Sequence, residues 1–233
     1  MRVAVISDIH ANLPALEKVF AVIDQIGVDR VLCLGDIVGY GSSPNECIEL
    51  VRHRCNAVVR GNHDSGAIEE LPLDHFNTYG EIAMRWTRKN LLPSNAEYLR
   101  SLPLMHVVDS VSIVHAAPLH PASWRYIFAW PDAQKCFDAF GTPYCFIGHT
   151  HVPVVVGENG SVNQFKIGGR FLINVGSVGQ ARDGVPRASF GLLDTDRGTY
   201  DLVRIEYDIE AAARGILQAH LPDYLAQRLF LGI

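Results

Sequence analysis

The sequence predicts an α/β fold, and three observations carry that expectation. Short apolar, β-branched runs at residues 3–6, 31–34 and 57–59 alternate with segments of helical periodicity. Each run stops at a cluster of Asp, His, Asn and Gly. Beyond residue 150, short β runs alternate with turns and the helical periodicity lapses until near residue 209. Successive strand–helix–strand units imply parallel strands with right-handed crossovers. In open sheets of that kind a site lies beyond the carboxyl ends of the strands.

The first unit runs from Val3-Ala4-Val5-Ile6 into Ser7-Asp8-Ile9-His10. Asn12 then offers an N-cap and Pro14 stands in the first turn, with Leu13, Leu16, Phe20 and Ile23 at helical spacing. The second unit places Gly35-Asp36 after its strand, then a Gly-rich loop and a helix from Pro44 to about Arg54. The third strand runs into Arg60-Gly61-Asn62-His63-Asp64.

Residues 65–101 read as a helical excursion within a single domain of residues 1–233, with Ser94-x-x-Glu97 as a capping box. Apolar positions there suit either a cover over the site or a dimer contact. Residues 105–108 and 111–114 form a hairpin around Asp109-Ser110 that delivers His115. An ordered loop at residues 120–130 and a helix at about 132–140 precede the buried strand Tyr144-Cys145-Phe146-Ile147, which delivers Gly148-His149-Thr150-His151. The β runs at 154–156, 171–173, 190–193 and 200–203 suggest an antiparallel second sheet, closed by a helix from about Ile209 to Gln218.

With 233 residues, 48% hydrophobic and 19% charged, the chain can bury a sizeable core. A net charge of -5 excludes a general attraction to nucleic acid or anionic membrane, and no dedicated nucleic-acid surface is evident. The amino terminus lacks the apolar segment of a signal peptide and no stretch reaches the length of a membrane span, so a cytoplasmic protein is expected. Cys33, Cys47, Cys55, Cys136 and Cys145 lack a CxxC pair and suit reduced structural thiols.

Collected from the strand ends, Asp8, His10, Asp36, Asn62, His63, Asp64, His115, His149 and His151 mix carboxylates, an amide and imidazoles. That mixture suits Mn, Fe or Zn better than the all-oxygen shells of Ca or Mg. Each piece alone is a weak signal. In order, however, Asp8-Ile9-His10, Gly35-Asp36, Gly61-Asn62-His63-Asp64, Val114-His115-Ala116 and Gly148-His149-Thr150-His151 resemble the five blocks of the calcineurin-like metallophosphoesterase superfamily. Gly39-Tyr40-Gly41 after the second block is similar to small bacterial and archaeal phosphodiesterases of that group.

The resemblance spans residues 3 to about 194. It implies a four-layer α/β/β/α sandwich of two mixed sheets flanked by helices, and hydrolysis of a phosphate ester by a hydroxide bridging two divalent cations, manganese being favoured. Asp8, His10 and His151 would hold one cation, Asn62, His115 and His149 the other, and Asp36 would bridge them. His63 would protonate or stabilise the leaving oxygen, with Asp64 orienting its ring or capping a helix. The expected substrate is a small phosphodiester or nucleotide, with a dinucleoside polyphosphate or a phosphoprotein as alternatives. A non-catalytic scaffold is the rival reading, but members of that kind have lost the histidine or the ligands, which all stand here.

Tyr40, Arg125 and Tyr126 are the candidate substrate contacts: the first follows the bridging Asp, and the others combine a guanidinium and an aromatic face on the loop after His115. Trp124 belongs to the same loop, and Arg60 suits either a phosphate or a carboxylate partner. The loop Asn174-Val175-Gly176-Ser177-Val178-Gly179-Gln180 also resembles one in these relatives, many of which carry Pro where Val175 stands. No catalytic role is expected of Asn174, Ser177, Arg182 or Asp183. His53, His75, His106 and His220 read as surface or packing residues.

Overall fold

Residues 3–6 become a strand because Val3 and Val5 face one apolar layer while Ala4 and Ile6 face another, so every side chain of the run is buried. The computed structural model describes residues 1–128, 130–166 and 168–233. In chain order the elements are β1 (Arg2–Ile6), α1 (Leu13–Ile26), β2 (Arg30–Cys33), α2 (Pro44–Arg54), β3 (Ala57–Val58), α3 (Asn62–Ala67), α4 (Thr78–Asn90), α5 (Pro93–Ser101), β4 (Met105–Val108) and β5 (Val111–Val114). They continue with α6 (Trp130–Gln134), β6 (Tyr144–Ile147), β7 (Val154–Gly157), β8 (Phe171–Asn174), β9 (Ala188–Asp194), β10 (Thr199–Ile205), α7 (Ile209–Gln218) and α8 (Asp223–Leu231).

Two five-stranded mixed sheets result, in the orders β10-β9-β1-β2-β3 and β4-β5-β6-β8-β7. Each contains three parallel neighbours, β1-β2-β3 in one and β5-β6-β8 in the other, with antiparallel strands added around them. Val3, Val5, Leu32 and Leu34 of the first sheet meet Val111, Ile113, Phe146 and Ile173 of the second in one buried layer. The outer face of the first sheet packs on α1 and α2 through Leu16, Val19, Phe20, Ile48 and Val51, and the outer face of the second on Ala133, Phe137 and Phe140. This is the four-layer sandwich. Full burial of side chains such as Phe20, Phe146 and Phe190 contributes about 1.5–3 kcal/mol each.

The antiparallel strands do not all join the second sheet. β9 pairs with β1 and β10 with β9, which completes the first sheet. Alternation along a strand marks a buried face but does not choose the edge it will join, and β1 has such an edge opposite β2.

Three local expectations also change. Helix α5 starts at Pro93 with Leu92 in the cap position and no side-chain cap, so Ser94 lies in the first turn and forms no capping box; proline at the first helical position sets the start. The helix expected at 132–140 divides into α6 and a 3-10 turn at Phe137–Ala139, where the Arg170 guanidinium donates to the carbonyls of Phe137 and Phe140. Helix α8 went unread in the sequence, although Pro222 before it and Gly232 after it are start and stop signals. It packs on α7 through Ile216, Leu221, Leu225 and Leu229, a cluster that also takes in Tyr40 and Ala83.

Asn12 caps α1 by accepting from the Ala15 amide. All five cysteines are free, and burial pushes the thiols of Cys33, Cys47 and Cys145 well up, which suits inert packing groups. Among the described residues no helix is long and apolar enough to cross a membrane.

Candidate active site

All six parallel strands end on one side of the molecule, and their following residues build one site. From the first sheet come Asp8 and His10 after β1, Asp36 after β2 and Asn62 after β3; from the second come His115 after β5 and His149 and His151 after β6. Asp8, His10, Asp36, His115, His149 and His151 are buried and Asn62 is half-buried. The backbone turns sharply to deliver them: Asp8, His10, Asp36, His149 and His151 have φ of 53°, 51°, 50°, 67° and 61°. Left-handed backbone at non-glycine residues costs about 1–3 kcal/mol each and persists only where the surroundings enforce it.

The enforcement is visible in the hydrogen bonds. Asp8 Oδ2 accepts from Ser7 Oγ at 2.6 Å and from the His149 amide at 3.0 Å, joining the two sheets. A Cβ at Gly148 would stand 2.0 Å from Ser7 Oγ and 2.3 Å from Asp8 Oδ2, so only glycine lets the second sheet approach that closely. Asn174 Nδ2 donates to the Gly148 carbonyl and to Thr150 Oγ1, and Ser177 Oγ donates to the Asp8 carbonyl. These two residues thus hold the donor loops in place. The Val175 amide donates to the Ile147 carbonyl, a bond proline would forgo.

Four imidazoles each have one nitrogen on a backbone carbonyl: His10 Nδ1 on Val38, His115 Nδ1 on Leu34, His151 Nδ1 on Gln180 and His149 Nε2 on Trp124. A carbonyl only accepts, so those nitrogens carry protons, and the other nitrogen of each ring is turned inward, where a lone pair can meet a cation. Inward, His10 Nε2 lies 3.0 Å from His151 Nε2, and His115 Nε2 lies 3.2 Å from His149 Nδ1 and 3.1 Å from Asn62 Oδ1. Nitrogens and oxygens so close need a proton or a cation shared among them. Asp36 Oδ2 lies 3.8 Å from His10 Nε2 and 3.3 Å from His115 Nε2, facing both sets. The donor set therefore fits cations, in three overlapping groups: Asp8, His10, His151; Asp36, His115, His149; and His10, Asp36, His63.

The electrostatics agree. Burial alone would lower His115, yet Asp36 and Asp8 raise it to about 9, a proton standing where the carboxylates call for positive charge. Burial brings His149 down to about 3 and His63 to about 4.

His63 differs from the other four. Its ring packs edge-on against His10 and Phe76 and lies 4.5 Å from the Tyr40 ring, and its buried Nδ1 has no hydrogen-bond partner among the described residues. Gly39 makes room for it, since a Cβ there would lie 2.4 Å from Nδ1. Phe76 places the 65–101 excursion against the site. Asp64 does not orient the His63 ring: its carboxylate accepts from the amides of Ile37, Val38 and Gly61 and so pins the Asp36 loop. Burial and the neighbouring Asp36 push Asp64 up to about 7, against those amide donors.

The substrate candidates fare differently. Tyr40 is 6% exposed and buttresses His10 and His63, so it packs instead of facing the mouth. Tyr126 is 47% exposed and stacks on His149 with ring centres 4.0 Å apart, and Phe128, 74% exposed, stacks on Tyr126 in turn. Arg125 is exposed and makes no hydrogen bond or ion pair among the described residues. Trp124 contributes its carbonyl to His149, and Arg60 pairs with Glu70. His53, His75, His106 and His220 are exposed. An apolar cavity of about 150 Å³ opens behind His10 and Tyr40, walled by Leu13, Ile216, Leu225 and Leu229. Arg182, of which the sequence predicts no catalytic role, has its guanidinium 5.7 Å from the Tyr40 ring centre.

Two mixed sheets packed face to face, with Asp, His and Asn donors where their parallel strands end, define the metallophosphoesterase fold. The chain belongs to the calcineurin-like phosphoesterase superfamily, whose domain model matches residues 1–198. It is 44% identical to the MJ0912 protein of Methanocaldococcus jannaschii, over 99% of this chain and 98% of that one. It is 26% identical to the phosphodiesterase YfcE of Escherichia coli K12, over 84% and 89% of the two chains. Among solved structures, a metallophosphoesterase from Sphaerobacter thermophilus superposes with a TM-score of 0.89 at 41% identity, covering 100% of this chain and 99% of its own. PH1004 from Pyrococcus horikoshii OT3 shares the fold with a TM-score of 0.81 at 21% identity, covering 100% and 98%.

Proposed function

We propose that this protein hydrolyses a phosphodiester or nucleotide-type phosphate ester with the help of two divalent cations. The observation that carries this reading is the Asp36 carboxylate, which faces one donor set through His10 and the other through His115. Asp8, His10 and His151 would hold one cation, Asn62, His115 and His149 the other, with Asp36 shared. The mixed nitrogen and oxygen donors favour manganese, iron or zinc. When bound, such a pair supplies Lewis acidity toward the phosphoryl oxygens and lowers the pKa of water.

The residues of the chain do the rest. Four imidazoles are each held by a backbone carbonyl with the other nitrogen turned inward, which places them to bind. His63 is the exception: no carbonyl fixes its tautomer, which leaves it to hold or give up a proton at the leaving oxygen. Asp64 acts at one remove, by fixing the loop that carries Asp36. Tyr126 and Phe128 offer a stacking face at the mouth, which supports an aromatic or nucleobase-bearing substrate over a phosphoprotein.

The test is a metal count joined to an assay. Purified protein should carry close to two transition-metal ions per chain and cleave bis(p-nitrophenyl) phosphate with added manganese. Chelation should abolish turnover and manganese should restore it. Protein that binds no metal, or that turns over equally after chelation, would overturn the reading.

A further inference from the structure

Most arginines of this chain with a nearby carboxylate use it: Arg54 pairs with Asp24, Arg60 with Glu70, Arg170 with Glu158 and Arg204 with Asp183. Arg182 is different. Its chain neighbour Asp183 is taken by Arg204, and among the described residues no carboxylate lies within ion-pair distance of Arg182. Its Nε and Nη2 donate instead to Gln180 Oε1, at 3.2 and 2.8 Å, which fixes the guanidinium and leaves Nη1 uncommitted. Gln180 is itself buried, and its carbonyl accepts from His151 Nδ1. One residue thus aims both a cation-binding imidazole and a guanidinium.

The guanidinium sits over the Tyr40 ring, which packs in turn on His10 and His63 at 4.8 and 4.5 Å. Through the Tyr40 ring and through Gln180, which holds His151, it borders the residues of the donor set. A second guanidinium, that of Arg228 on α8, lies 5.9 Å from the same Tyr40 ring centre and is 8% exposed. Its Nε, unlike the Arg182 Nη1, is committed, donating to the main-chain oxygen of Ile233. The half-buried Arg182 guanidinium has no carboxylate beside it among the described residues, and a partly buried charge left unpaired is costly, which suits it to an anion. The planar fork of arginine matches phosphate oxygens in pairs.

We propose that Arg182, backed by Arg228, recognises a second phosphate group on the substrate, one that is not cleaved. The inference rests on the phosphoesterase reading above and narrows it: the preferred substrates are phosphate esters that carry an additional phosphomonoester, such as nucleoside bisphosphate derivatives. Arg182 binds this group and takes no part in the chemistry at the scissile phosphorus.

Two substrates that differ only in that group decide the matter. With manganese-loaded protein, thymidine 5′-(p-nitrophenyl phosphate) bearing a 3′-phosphate should show a kcat/KM at least about tenfold above that of the same ester without it, the size expected of a charge-assisted bond to phosphate. In Arg182→Gln the ratio between the two substrates should collapse toward unity. Arg182→Lys should recover part of it, because charge remains while the fork is lost. Calorimetric titration with adenosine 3′,5′-bisphosphate against adenosine 5′-monophosphate should show the same preference in binding, and its loss in Arg182→Gln. Equal binding of the two nucleotides by the wild-type protein, or a preference that survives Arg182→Gln, overturns the proposal. A wild-type protein that cleaves neither ester yet binds the bisphosphate more tightly through Arg182 would sink the hydrolase reading and leave the second-phosphate site standing.

Discussion

The site has a floor and a rim, and they are built on different principles. The floor consists of Asp8, His10, Asp36, Asn62, His115, His149 and His151, each delivered by the end of a parallel strand and most held by backbone hydrogen bonds. Around it stand Tyr126 and Phe128, stacked on each other and on His149, and Arg182, whose guanidinium lies over the Tyr40 ring, drawn from two loops; these are the rim. The first is rigid and generic, suited to any phosphate. The second is partly exposed and particular, suited to telling one ester from another. Under the proposed function, binding energy spent at the rim would set affinity and choice, whereas the floor would set the rate of bond cleavage.

That division can be broken by substitution, and the largest effect belongs to the carboxylate that faces both donor sets. Asp36→Asn should lower kcat by on the order of 10³-fold or more and reduce the metal content below two per chain. Because the Asp36 side chain also accepts from the His63 amide, circular dichroism should accompany the assay to show the fold retained. Normal turnover would remove Asp36 from the floor.

Next comes His63, which borders the floor without a carbonyl anchor. His63→Gln should keep the metal count of the parent and lose about 10²-fold to 10⁴-fold in kcat, the range of general acid–base catalysis. If metal is lost along with activity, His63 belongs with the ligands, as its grouping with His10 and Asp36 allows, and the line between binding and proton transfer must be redrawn.

The smallest effect is expected at the rim. Tyr126→Ala should raise KM for an aromatic or nucleoside ester roughly tenfold, within the energy of one base-stacking contact, and leave kcat and metal content close to the parent values. A fall in kcat as large as that of His63→Gln would show that the Tyr126–His149 stack supports the floor, and the two regions would merge.

How much of this was legible in the sequence follows the same line. Asp8-x-His10, Gly35-Asp36, Gly61-Asn62-His63-Asp64 and Gly148-His149-Thr150-His151 are short local motifs at the ends of apolar runs, so period and turn chemistry suffice to find them. The sandwich was legible through the family resemblance that those motifs carry together, not through period alone. What escaped was set by distance along the chain. β9 returns to β1 across nearly the whole sequence, and nothing in its own alternation names that partner. Tyr40 looked like a mouth residue from its glycine neighbours, but α7 and α8, which bury it, lie at the far end of the chain. Arg182 has an acidic chain neighbour in Asp183, and only the fold pairs that carboxylate with Arg204 instead. Arg125, which has the same chemistry and a nearer motif, stands in solvent.

The hydrogen bond from the His149 amide to the Asp8 carboxylate links positions 141 residues apart and joins the two sheets. Its consequence lies in the order of folding. The first sheet carries Asp8, His10, Asp36 and Asn62, three oxygen donors and one imidazole; the second carries His115, His149 and His151, imidazoles alone. Neither sheet by itself presents a complete set, and contacts of such separation close late because the intervening chain must be ordered first. Under the two-cation reading, either sheet formed alone would offer only part of the donor set, and the full set would be assembled only on the docking of sheet on sheet.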